Sequence, residues 1–143
     1  MSRTPQLTKS QYETLADFRY SLRQFLHFSE QAAEKAGVTA QQHQALLAIK
    51  GYPGRDRVTV GELAERLRIR PHSTVELINR LVAEKLVMRG PSAEDHRQVL
   101  IGLTPRGEKI LKKLAFVHRQ QLKQIGPEIH RLLGRLCGTK EHP

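Results

Sequence analysis

Residues 59–104 read TVGELAERLRIRPHSTVELINRLVAEKLVMRGPSAEDHRQVLIGLT, and the order of signals within them decides the fold. Thr59 and Glu62 stand at the spacing of a capping box, in which the hydroxyl accepts from a helical N–H while the carboxylate reaches back to the backbone of the capping residue. A short helix through GELAERL follows. Only Arg68, Ile69 and Arg70 separate it from a second helix, predicted over 71–86. Its first residue is Pro71, which suits a first turn because the missing N–H would have no partner there. Leu77, Ile78, Leu81 and Leu86 mark the inner stripe of that helix. Two helices joined so tightly form a helix-turn-helix. VMRG at 87–90 and QVLIGL at 98–103 are β-prone and flank the charged, turn-rich PSAEDHR, which predicts a hairpin with a protruding tip. The sequence therefore predicts a winged helix-turn-helix over 55–104, with the wing at 87–103.

The flanks are helical. Leu15, Phe18, Leu22, Phe25, Leu26 and Ala33 recur at helical spacing within a long first helix, 10–36, which Gly37 ends. Tyr20 and Phe28 lie more than about 90° from the Leu15, Leu22, Leu26 stripe at 100° per residue, so this helix is apolar on two sides. It is expected to touch its own domain with one side and a partner subunit or ligand with the other. QQHQALLAIKG at 41–51 predicts a second, short helix, and GYPGRDR after it reads as a loop. Thr104 and Pro105, an N-cap before a first-position proline, restart a helix. Its stripe is Ile110, Leu111, Leu114, Val117, His118, Gln121, Leu122 and Ile125. Gly126 and Pro127 are expected to break it, leaving a separate last helix with Ile129, Leu132, Leu133, Leu136 and Cys137 on one side. The fold class is mainly α with a small β-hairpin, a winged helix-turn-helix between N- and C-terminal helices.

The 143 residues make one domain's worth of chain, with 24 Lys plus Arg against 14 Asp plus Glu and a formal charge of +10. The single cysteine excludes an intramolecular disulfide or a cysteine-rich zinc site. Charges throughout MSRTPQLTKSQYETLADFRY argue against a signal peptide, and no apolar run approaches membrane-spanning length. A cytoplasmic protein with no membrane role is expected. The excess charge favours a polyanionic partner, nucleic acid first. Residues 51–110 hold only 11 basic against 8 acidic side chains, and residues 111–143 hold 7 against 2, so half of the excess lies beyond the predicted wing. The seven histidines, His142 among them, show no paired helical spacing. No HExxH, phosphate-binding glycine loop or nucleophile elbow is present. Neither an enzyme, a metal site nor a cofactor is expected.

A winged helix-turn-helix is a shape for duplex DNA. The second helix enters the major groove, where base edges distinguish all four pairs, and the hairpin follows the backbone or enters the neighbouring minor groove. With Leu77, Ile78 and Leu81 inward, His72, Glu76, Asn79 and Arg80 face outward, Ser73 and Val75 lie at the edges, and Thr74 joins the contact candidates. First-turn contacts dominate in such helices, which favours His72, Ser73 and Glu76. Glu76 can accept from a cytosine amino group, Asn79 can pair with adenine and Val75 can pack on a thymine methyl. Arg68, Arg70 and Arg89 are available for phosphate. Arg97 at the hairpin tip suits a narrow minor groove, where the negative potential is enhanced. Asp95 is expected to hold the Arg97 guanidinium by charge-assisted hydrogen bonds rather than to meet the polyanion itself.

Residues 59–114 resemble the winged helix of the multiple-antibiotic-resistance regulator (MarR) family. The strongest element is DHRQVLIGLT at 95–104, which follows the family's wing pattern of Asp, any residue, Arg, five residues, Leu-Thr, with Gly107 downstream. The outer helices fit too, so the resemblance implies a single MarR-like domain over 1–143. It implies a homodimer whose helices at 10–36 and 105–138 intertwine, and a bacterial or archaeal transcription regulator on double-stranded DNA, most often a repressor released by a small-molecule effector. A pseudo-palindromic operator with half-sites about one helical turn apart would match the dimer axis. The resemblance also implies a ligand crevice between the dimer helices and the winged domain, for which Phe18, Tyr20, Phe25, Phe28, His43 and His118 are candidates. Such aromatic and histidine side chains are more often packing. The chain departs from the family at Val75-Glu76, where Thr-Arg is common. Base preference therefore does not carry over, and the expectation is an altered operator. The alternative is a winged-helix protein-interaction module that has lost sequence-specific DNA binding. Cys137, on a stripe with Leu133 and Leu136, is expected to be buried and inert.

Overall fold

The computed structural model describes residues 3–138. Its elements are α1 (Lys9–Lys35), α2 (Ala40–Lys50), β1 (Arg57–Val58), α3 (Val60–Leu67), α4 (Pro71–Ala83), β2 (Val87–Pro91), β3 (Val99–Leu103) and α5 (Pro105–Leu136). The chain divides into two compact units, one of residues 30–116 and one built from residues up to 29 with those from 117 onward.

The 30–116 unit is the winged helix. Leu46 and Ile49 of α2, Leu63 of α3, Ile78 and Leu81 of α4, Ile101 of β3 and Leu114 of α5 are completely buried in one core. Each such burial contributes about 1.5–3 kcal/mol. The starts of α2 and α3 are fixed by capping boxes. At α3, the Glu62 N–H donates to Thr59 Oγ1 (3.2 Å) and the Thr59 N–H donates to Glu62 Oε1 (2.9 Å). Thr39 and Gln42 repeat the device at α2. Gln42 is buried, and its Nε2 donates to Glu84 Oε2 at 2.6 Å, tying the start of α2 to the end of α4. Arg68 adopts φ 57°, and this left-handed residue ends α3 and turns the chain into α4.

Partial burial works against ionisation of Glu62. The backbone N–H of Thr59, hydrogen bonds from Tyr52 and Thr59, and the Arg55 guanidinium outweigh it and hold the carboxyl below the usual carboxylate range. A carboxyl lowered in the folded state stabilises above its unfolded pKa and ceases to do so as pH falls through its folded value. Glu62→Gln should therefore be less stable than the parent at neutral pH, with the difference in urea midpoint shrinking on acidification.

Three differences from the expected elements have local causes. The wing is a three-stranded antiparallel sheet of order β1-β3-β2 rather than a bare hairpin, because Arg57 and Val58 pair with Gly102 and Ile101. Two residues are too few to show strand alternation in a sequence. Helix α4 stops at Ala83, three residues early, since Lys85 adopts φ 60° and Leu86 folds back to donate its N–H to the Leu81 carbonyl at 2.9 Å. Leu86 stays in the core as a turn residue. Helix α5 does not break at Gly126-Pro127 but continues to Leu136. Pro127 is exposed, so water can satisfy the carbonyl whose helical donor the proline lacks. Leu132, one turn beyond, is buried and holds the helix in place.

In the second unit, the buried side of α1 runs through Thr14 and Ser29, with Phe18, Leu22, Phe25 and Phe28 half-buried. Leu15 and Leu26, assigned to the inner stripe from sequence, are exposed instead. The apolar residues alone misplaced the stripe because small hydroxyl side chains bury cheaply once bonded, as Thr14 Oγ1 is to the Ser10 carbonyl at 3.0 Å. Cys137 is likewise exposed rather than buried. His142 lies outside the described residues.

The exit of α4 meets the entry of α5 without room for a side chain. Thr104 donates its N–H to the Leu86 carbonyl (3.1 Å) and its hydroxyl to the Lys85 carbonyl (2.6 Å), while Oγ1 accepts from the Gly107 N–H (3.1 Å). A Cβ on Gly107 would stand 2.1 Å from the Leu86 carbonyl oxygen. Gly107→Ala should destabilise by about 2–3 kcal/mol, measured by chemical denaturation. Gly90→Ala, whose Cβ meets nothing within 4 Å, should shift the midpoint far less.

Candidate nucleic-acid interface

Helix α4 turns Thr74, Leu77, Ile78 and Leu81 inward. His72, Ser73, Val75, Glu76, Asn79 and Arg80 are exposed, so the outward face is as expected except at one position. Thr74 is completely buried and donates its hydroxyl to the Arg70 carbonyl at 2.9 Å. It braces the first turn and offers nothing to a groove. At the centre of the face, His72 Nε2 lies 3.3 Å from Glu76 Oε1. Asn79 is held from the wing, because the Arg89 guanidinium on β2 donates to its Oδ1. Arg89, expected on phosphate, is thus a brace between reader and wing. Arg68 and Arg70 are exposed in the turn between α3 and α4.

The wing tip is organised by its backbone. Buried Ser92 Oγ accepts from the Glu94 and Asp95 N–H groups at 3.2 and 3.4 Å, and the Ser92 N–H donates to the Gln98 carbonyl at 2.9 Å. Asp95 Oδ1 accepts from the backbone N–H of Arg97 at 3.0 Å. Asp95 was expected to hold the Arg97 guanidinium, and here its carboxylate folds the turn through the Arg97 backbone N–H instead. Short acidic side chains close such turns readily. Ser92 went unrecognised, although a serine two and three residues before polar turn positions is a turn signal in itself. Arg97 is exposed at the tip.

Five of the six pocket candidates belong to the second unit and His43 to the winged-helix unit. Phe25 and Phe28 meet His118 edge-on, with ring centroids 5.9 and 5.5 Å away, and His118 Nε2 is hydrogen-bonded to Ser29 Oγ at 2.8 Å. This is a packed cluster in the second unit. Phe18 is half-buried and Tyr20 is exposed, while His43 is buried on α2 in the winged-helix unit. That unit carries a groove of about 650 Å³ lined by Leu47, Lys50, Lys109, Leu111, Lys112 and Ala115 among others. Lys50 there bonds Glu108 Oε1 at 2.9 Å, and this contact raises its ammonium above the ordinary lysine value. Among the described residues, no cluster of His, Cys, Asp and Glu is arranged to hold a metal, and no helix is long and apolar enough to cross a membrane.

A model of the MarR family matches residues 36–98, from the start of α2 to the wing tip. Over this stretch the chain is similar to the MarR family. The chain is 28% identical over 123 residues to the uncharacterised HTH-type transcriptional regulator YsmB of Bacillus subtilis (strain 168), covering 83% of this chain and 82% of the relative. It is 27% identical over 104 residues to the HTH-type transcriptional repressor MdtR of the same organism, covering 70% and 65%. Its fold is shared with AbsC, a MarR family transcriptional regulator from Streptomyces coelicolor, at TM-score 0.72 and 22% identity over 95% of each chain. The fold is also that of a mutant MepR from S. aureus bound to an oligodeoxyribonucleotide, at TM-score 0.65 and 21% identity over 94% of this chain and 96% of that one.

The backbone role of Asp95 is directly testable. In Asp95→Ala the Arg97 amide should lose protection in hydrogen exchange, while global stability changes by less than about 1 kcal/mol because the bond is exposed.

Proposed function

We propose that the protein is a DNA-binding transcriptional regulator that acts as a homodimer on a pseudo-palindromic duplex. Helix α4 enters the major groove and the wing carries Arg97 to the neighbouring backbone or minor groove. The observation that carries this reading is the pairing of a polar, outward α4 face with an arginine-tipped wing whose turn is locked by Ser92 and Asp95. An MepR variant of the same fold binds an oligodeoxyribonucleotide, and MdtR is a repressor, which favours repression here.

Dimerisation is supported by apolar surface. Tyr12, Leu15 and Leu26 of α1 are exposed within about 60° of one another at 100° per residue, and Leu122 and Leu133 of α5 are exposed as well. Helices this apolar on an outer side are characteristic of subunit interfaces. A small-molecule effector would act by binding better to the form that does not fit DNA. A protein-interaction module without DNA binding finds no support, since the α4 face remains polar.

Fluorescence anisotropy with duplexes from the promoter of the protein's own gene tests the reading. Specific, salt-sensitive binding is expected. Arg97→Ala should weaken it and reduce the slope of log affinity against log salt by about 1, with folding unchanged. An unaltered affinity across the salt titration would remove Arg97 from the interface.

A further inference from the structure

Three of the polar side chains on the exposed face of α4 share one line and could each read a base, and the contacts they make within the protein divide them. Positions 72, 76, 79 and 83 fall within about 60° of one another at 100° per residue, so His72, Glu76, Asn79 and Ala83 form the line that faces outward. Ala83 has no polar group. Asn79 Oδ1 accepts from the Arg89 guanidinium. Reading adenine requires that same oxygen to accept from the base's N6 amino group while the amide donates to N7. The guanidinium takes one of that oxygen's two lone pairs and ties the amide to the wing, which works against the bidentate geometry that adenine needs.

Glu76 is differently placed. Its Oε1 faces His72 Nε2 at 3.3 Å, and its side chain is more than half exposed. One carboxylate oxygen is thereby steered, and the other is still available as an acceptor on a side chain that is more than half exposed. An ionised carboxylate accepts and does not donate. In the major groove, guanine shows two acceptors and thymine shows one, so both repel it. Adenine sets its N7 acceptor beside its amino donor. Cytosine offers an amino donor at its edge, and this is the group that a glutamate can take. A carboxylate at the centre of the face also opposes the phosphates, so it weakens sequence-independent attraction and raises the share of affinity that depends on sequence.

We propose that Glu76, oriented by His72, sets the base preference of α4 by selecting a cytosine at one symmetric position in each half-site, and that Asn79 reads no base. This rests on the DNA-binding reading above. Selection from a randomised duplex library by the full-length protein tests it. The parent should enrich a palindrome with cytosine at that position, preferred by roughly 5- to 100-fold. Glu76→Gln should move the preference there to adenine, the partner of a glutamine. Glu76→Ala should erase it while raising affinity for random duplex. His72→Ala, which frees the carboxylate, should reduce the cytosine preference without changing the other positions. Asn79→Ala, which loses the brace from Arg89, should lower overall affinity without changing which base is preferred at any position.

An identical base at every position in the parent and in Glu76→Gln overturns the proposal, as does a changed base in Asn79→Ala. A parent that enriches no sequence overturns the DNA-binding reading itself, and this outcome is distinct from a palindrome that ignores Glu76.

Discussion

The winged-helix unit depends on a contact between backbones at the point where α4 ends and α5 begins. The Leu86 carbonyl, Thr104 and Gly107 meet there with no intervening side chain. Both ends of the contact are fixed locally. Lys85 in the left-handed region brings the chain out of α4 and into β2, and Thr104 caps α5 while bonding two carbonyls of that turn. Because β2 and β3 leave from this junction, the sheet inherits its position from it. The register that pairs Val87 with Leu103 and Arg89 with Ile101 follows. Arg89 is then on the side of β2 that reaches Asn79. The reader and the wing are joined at the base by backbone hydrogen bonds and further along by the Arg89–Asn79 side-chain bond.

Placement of charge matters more to this surface than its total. The formal charge of +10 is concentrated toward the C-terminal end of the sequence, and the 51–110 stretch is only mildly basic. Within it, acidic residues have organising roles that a charge count would score against nucleic-acid binding. Glu62 caps α3 and is bonded to Arg55. Glu84 accepts from Gln42, and Asp95 closes the wing turn. Arginines freed from such pairings, Arg68, Arg70 and Arg97, stand on the surface that would face phosphate. The remaining charge adds a long-range attraction that salt screens.

Much of the fold was legible because its signals are local. Thr59 with Glu62, Pro71 after a three-residue turn, and Thr104 with Pro105 each act over a few residues, and each marks an element boundary that the structure keeps within a few residues. The inner stripe of α4 was readable for the same reason, since Leu77, Ile78 and Leu81 repeat at the helical period. The readings that failed depended on distant partners. Val58 is a strand residue only because Ile101 lies beside it. Pro127 stays within a helix because the residues beyond it are held by packing. The burial of Thr14 and Ser29 reflects hydroxyls satisfied inside the fold, which hydrophobic periodicity does not register.

The candidate interface divides along the same line. From its sequence alone this protein was determined to carry a helix-turn-helix, a wing with Arg97 near its tip, and a recognition helix altered at Val75 and Glu76, since composition and short-range spacing carry that information. Tertiary structure decided which of those side chains remain available. It turned Thr74 inward, committed Asn79 to Arg89 across the wing, set His72 against Glu76, and put Asp95 on a backbone amide in place of a guanidinium. A residue's type states which hydrogen bonds it can make. Only the assembled fold shows which of them are already made, because a partner such as Arg89 arrives from another element.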